Sequence, residues 1–147
     1  TIFTISKHKQ HNNKHFNYEH VINSKLTVVT RNDISFGYQN VQGNHAVADF
    51  ICDFPQDAKQ WKKESNSIIT LTVSSEEELI KLYDKLSKTH NVSLFFEPDI
   101  DQHTALCFYA DENIRKKLRH LPLAGKVEGK VDRLILDMKR TPQTDTQ

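Results

Sequence analysis

The stretch FFEPDIDQHTALCFYA, residues 95–110, gathers Glu97, Asp99, Asp101, His103 and Thr104 within a few positions. Carboxylates orient or deprotonate water, an imidazole carries protons near neutral pH, and a hydroxyl donates a hydrogen bond to developing charge. Hydrolysis of an acyl bond can use all three. A plain turn can use some of them, because Pro98 fixes φ and Asp99 can bond nearby backbone. Thr104 taken alone is an ordinary strand former.

Such groups act together only if the surrounding elements converge on them. VSLFF and TALCFY, on either side of the acidic bend, read as the two strands of an antiparallel hairpin. LTVVT, ended by Arg31-Asn32-Asp33, is a β-branched strand. SIITLTV is another, with Ile69, Leu71 and Val73 on one side. Between these two, helical spacing from Gly37 to Phe54 puts Val41, His45, Ala48 and Cys52 on one face, with Val47, Ile51 and Phe54 beside it. Pro55 starts a short second helix through Trp61. Ser75 with Glu78 makes a capping box for a helix whose apolar stripe is Leu79, Leu82, Tyr83 and Leu86. Asp111 caps a last helix, with Ile114, Leu118 and Leu121 inward and its basic residues outward, and Pro122 stops it.

The order β-α-α-β-α-β-β-α predicts an α/β fold: a single three-layer domain with a mixed four-stranded sheet and helices on both faces. In open sheets of this kind ligands gather beyond the carboxyl ends of strands. Arg31-Asn32-Asp33 and Glu97-Pro98-Asp99 both lie at such ends. The domain is expected over residues 25–124, with a polar His- and Asn-rich lead at 1–24 that has a candidate short strand, IFTIS, at its start, and an extension at 125–147. In that extension KVDRLILDMK fits a helix through Val131, Leu134, Ile135 and Met138, or a strand through Leu134, Leu136 and Met138.

Composition narrows the function classes. With 147 residues, 37% of them hydrophobic and 27% charged, the chain suits one soluble globular domain. No apolar run approaches the roughly 20 residues of a membrane helix, so no membrane partner is expected. The N-terminal residues lack the pattern of a secretory signal. Cys52 and Cys107 are expected to be buried free thiols, which fits a cytoplasmic protein, and no CxxC pair exists. A net charge of +1 with neutral histidines does not mark a nucleic-acid binder. Locally, KHKQHNNKH at 7–15 and RKKLRH at 115–120 could meet phosphates or could be solvated surface. His8, His11, His15 and His20 have spacings that can ligate, but an Asn-rich tail offers no rigid surround, so no metal is expected. The chain has four glycines and no GxGxxG, and no cofactor is expected.

The residues VVTRNDISFGYQNVQGNHAVADF, with Arg31, Asp33, Gly37, Gln42, His45 and Ala46, resemble the type II peptidyl-tRNA hydrolases. That family has an Arg-x-Asp step after its first strand, a Gly-containing loop and a helix carrying Gln-x-x-His-Ala. Trp61 in KQWKK, then Ser93, Glu97 or Asp99, and Thr104 continue the resemblance, which covers about residues 25–124. Two departures stand out. The family's loop carries lysines, where this chain has GYQN, two residues shorter, with Tyr38 and Asn40. The loop from the acid to the final Thr is cut to EPDIDQHT.

The resemblance implies cleavage of the ester between a peptide and the 3′ ribose of tRNA, or a related acyl-RNA. Glu97 or Asp99 would handle the water, Thr104 would hydrogen-bond the reacting carbonyl or ribose, and His45 would carry a second proton. Arg31, Asp33, Tyr38, Asn40, Gln42 and His103 would contact the substrate. Blander readings stand beside these: His45 as a hydrogen-bonded residue at the core's edge, and Arg31 with Asp33 as a local ion pair. The alternative function is a catalytically inactive RNA- or protein-binding module on the same fold. The terminal extensions are then the candidate surfaces for a homodimer or a protein partner.

Overall fold

The computed structural model describes residues 23–125. The elements run β1 (Lys25–Arg31), α1 (Phe36–Asp53), α2 (Pro55–Lys63), β2 (Ile68–Val73), α3 (Glu76–Leu86), β3 (Val92–Glu97), β4 (Gln102–Ala110) and α4 (Glu112–Lys117). The predicted order and the mixed four-stranded sheet are both present. The expected strand at IFTIS, the His8–His20 group and the ambiguous 131–138 segment lie outside the described residues.

Strand order is β2-β1-β4-β3. β1 pairs parallel with β2, and the α1–α2 crossover supplies the length that parallel pairing requires. β4 runs antiparallel to both β1 and β3. This topology brings the end of β1, the end of β2, the end of β3 and the start of β4 to one edge of the molecule. The outer edge of β2 is covered by Pro122–Ala124: Thr72 N–H donates to Pro122 O at 2.8 Å and Ala124 N–H to Thr70 O at 3.0 Å.

Alternation along the strands divides the core in two. On one face, Leu26, Val28, Ala105 and Cys107 pack against Ala46 and Phe50 of α1 and Ala58 and Trp61 of α2. On the other, Val29, Leu71, Val73, Leu106 and Phe108 meet Leu79 and Leu86 of α3 and Leu118. Helix starts follow the predicted caps. The Ser75 hydroxyl accepts from Glu78 N–H at 3.2 Å and Asp111 Oδ1 from Ile114 N–H at 2.9 Å. The last helix is shorter than its sequence signal.

The inward face of α1 corrects the sequence reading. Its buried residues are Gln39, Gln42, Gly43, Ala46 and Phe50. Val41 and Ile51 are 48% and 44% exposed, and His45, Ala48 and Cys52 face solvent, so the expectation of a buried Cys52 fails while Cys107 is buried. Val47 and Phe54 pack on the cluster only in part. The buried face lies roughly 150° around the helix from the predicted one. Two contacts favour this setting. Gly43 lets the helix close on β1, where an added Cβ would stand 3.2 Å from Val28 Cγ1. Phe50, fully buried, contributes more apolar area than Val41 could.

Candidate active site

β4 carries one residue too many for its partner. Phe95 pairs with Ala105 and Phe96 with His103, which leaves Thr104 as the extra residue of a β-bulge. Strict alternation from Leu106 would point Thr104 toward α3. The bulge re-aims it toward α1, where its hydroxyl donates to Gln42 Oε1 at 2.5 Å. The Gln42 amide then donates to Glu97 Oε2 at 3.0 Å. Glu97 Oε1 accepts the Asp99 backbone N–H at 3.2 Å. Thr104 and Gln42 are fully buried, and Glu97 nearly so. The result is a hydrogen-bonded line, Thr104–Gln42–Glu97, running from the sheet to the bend.

That line sets the charge of Glu97. The Gln42 amide, then the Asp99 N–H, hold its carboxyl below the ordinary range against the opposing effect of burial, and His45 adds a smaller favourable field. Tyr38 lies on the other side. Partial burial and the nearby Glu97 and Asp99 charges push its phenol up, so the hydroxyl stays protonated. His45 is exposed and lies flat on Phe95, with ring centroids 4.5 Å apart and 6° between planes. Beyond it, burial and Asp53 raise Asp49, and His45 partly offsets them. The bend itself closes through Asp101 N–H to Pro98 O at 3.3 Å, with Asp101 in the left-handed region at φ 54°. Asp tolerates that region better than most side chains.

The predicted Arg31 group forms a second cluster on the α3 side. The Arg31 guanidinium holds Asp33 at 2.9 and 2.8 Å in a two-pronged pair, and also donates to Gln102 Oε1 at 2.7 Å and His103 O at 3.1 Å. Asp33 is correspondingly lowered. Four of the five guanidinium N–H groups are thereby committed, which makes Arg31 a clamp between the ends of β1 and β4. Glu76 at the start of α3 accepts the His103 N–H at 2.6 Å, and Phe96 meets the His103 ring edge-on at 5.1 Å.

The structure therefore brings Tyr38, Gln42, His45, Glu97, Asp99 and Thr104 to one place, with Arg31, Asp33 and His103 around the same sheet edge. Asn40 is an exposed residue of α1. Glu76, Gln102 and Phe95 escaped the sequence reading. Glu76 read as part of a helix's first turn and Gln102 as part of the acidic bend, and nothing in their spacing points at Arg31 or His103. Among the described residues no cluster of three or more His, Cys, Asp or Glu is placed to hold a metal ion, and no helix is long and apolar enough to cross a membrane.

A mixed sheet with this order and a helix-borne Gln and His above a bulged strand define a class of α/β proteins to which comparison gives a name. The sequence pattern of the family described as peptidyl-tRNA hydrolase PTH2 matches residues 24–123. The chain belongs to that family. A peptidyl-tRNA hydrolase of Methanocaldococcus jannaschii is 34% identical over 67 residues, which span 42% of this chain and 58% of that protein. A protein of unknown function from Agrobacterium tumefaciens strain C58 is similar in structure, with a TM-score of 0.48 and 14% identity over 69% of this chain and 97% of the other.

Proposed function

We propose that the chain hydrolyses the ester bond joining a peptide to the 3′ ribose of tRNA, with Glu97 as the water-handling carboxylate. The observation that carries this reading is the buried Thr104–Gln42–Glu97 line. Each oxygen of Glu97 has one lone pair taken by a fixed donor and another free for a water. The lowered carboxyl is a weak base, so its larger contribution is orientation: it stays ionised and holds the water at the ester carbon. Attack breaks the carbonyl π bond onto oxygen, and the proton from water passes through Glu97 to the departing 3′ oxygen. The protonated Tyr38 hydroxyl, beside Glu97, supplies a hydrogen bond to the oxyanion in the place where lysines are expected from the resemblance. Thr104 does not touch the substrate in this scheme. It fixes the Gln42 amide, and thereby Glu97.

The experiment is turnover of peptidyl-tRNA by the wild type and by Glu97→Gln, with binding measured alongside. We expect kcat to fall by about 10²-fold or more while affinity holds. Wild-type protein that leaves peptidyl-tRNA intact but binds it would favour the second reading, a binding module. That reading draws on one observation: α1 contains no lysine or arginine.

A further inference from the structure

α1 presents an exposed stripe that the core does not use. Tyr38, Val41 and His45 are spaced three and four apart and share one side of the helix, next to Glu97. Val41 is 48% exposed and belongs to neither core cluster. His45 is held flat on Phe95, which orients the ring and leaves its outer face toward solvent. The electrostatics of the region are equally specific. Neither α1 nor the bend at 97–104 contains a lysine or arginine, while the bend carries Glu97, Asp99 and Asp101, and Asp49 lies one turn beyond His45. The nearby guanidinium of Arg31 is occupied by Asp33, Gln102 and His103. Phosphates gain nothing at such a surface, whereas a nucleobase gains a π platform.

We infer that His45 is the stacking platform for the terminal nucleobase of the RNA substrate, so that the 3′ end is recognised by its base and not by its phosphates. This rests on the ester-hydrolysis reading for its substrate class. Stacking the base on His45 continues the Phe95–His45 stack and leaves the attached ribose beside Glu97. Val41 then remains for the acyl chain, with the Tyr38 hydroxyl left to the oxyanion. In this role His45 acts through its ring face, and its nitrogens are dispensable.

The test uses the Glu97→Gln protein, so that no turnover is needed. The probe is a short single-stranded oligoribonucleotide ending either in adenosine or in an abasic ribose, followed by fluorescence anisotropy. His45→Ala should weaken binding of the adenosine-ended probe about tenfold or more. His45→Phe should restore it. The abasic probe should bind the His45 protein as weakly as the adenosine probe binds His45→Ala, and the His45→Ala protein should not distinguish the two. Binding should respond to salt with a log–log slope shallower than about −0.7, less than one phosphate contact. Unchanged binding in His45→Ala, or a loss that Phe does not restore, overturns the inference. So does equal binding of the two probes by the His45 protein. Failure of hydrolysis in the wild-type chain would leave all these readings intact, so the two proposals fall separately.

Discussion

At the scale of single residues, Gln42 decides the geometry of the site. An amide is the side chain that can accept from Thr104 with one atom and donate to Glu97 with the other, and burial removes water as a substitute for either. Gln42→Leu keeps the approximate volume but orphans the buried Thr104 hydroxyl, at a cost of about 1–3 kcal/mol near neutral pH. The pH dependence follows from Glu97. Its carboxyl lies below its ordinary value of 4.5 in the fold, so its contribution is present above that value and is lost as pH falls through the folded value. Gln42 is the main cause of that lowering. Urea unfolding should therefore show the gap between wild type and Gln42→Leu narrowing from pH 6 toward pH 3. A gap that stays constant would mean that Gln42 does not hold the charge of Glu97.

At the scale of elements, the strands, the helices and their order were legible because each carries a local signal: β-branched runs, the Ser75 and Asp111 caps, and Pro55 at a helix start. The hairpin and its acidic bend were legible for the same reason. Two features were not. The bulge at Thr104 depends on register against β3, which no residue of β4 announces. The inward face of α1 is carried partly by Gln39, Gln42 and Gly43, polar and small residues that a hydrophobic pattern assigns to solvent. The partners of Gln42, Glu97 and Thr104, lie more than fifty residues away in sequence. Without that tertiary knowledge Val41 and Cys52 look the better core. The two glycines of α1 test the corrected setting. Gly43→Ala forces its Cβ to 3.2 Å from Val28 Cγ1 and 3.4 Å from Thr30 Cγ2, against a β-branched residue in a central strand. We expect it to destabilise by about 1 kcal/mol despite the better helix propensity of alanine. Gly37→Ala meets nothing within 4 Å and should gain up to about 1 kcal/mol. Thermal unfolding of the two variants measures both. If Gly43→Ala also stabilised, the close approach of α1 to β1 would be wrong.

At the scale of the whole molecule, a net charge of +1 conceals a separation. The carboxylates of the bend, Glu97, Asp99 and Asp101, stand at one end of β4, while Arg115, Lys116, Lys117 and Arg119 follow its other end. β4 has nine residues, so the two ends are about 27 Å apart. Screening at physiological salt acts over about 8 Å, and Arg115, Lys116 and Arg119 stand beside Thr27, Ile69 and Leu71, not beside the bend. α4 also lies on the α3 side of the sheet, with the low-dielectric core between it and α1. Two of its cations have partners of their own: Lys116 is 3.7 Å from Glu112, and Arg115 donates to the Asn23 carbonyl. The charge state of Glu97 is thus set by its immediate donors and not by the basic helix. Replacing Lys116, Lys117 and Arg119 together by glutamine should leave kcat and KM unchanged for a short peptidyl-adenosine substrate at physiological salt. Steady-state kinetics on that substrate provide the check. A raised KM at physiological salt would show the cations acting on the site through space, which screening and the intervening core rule against.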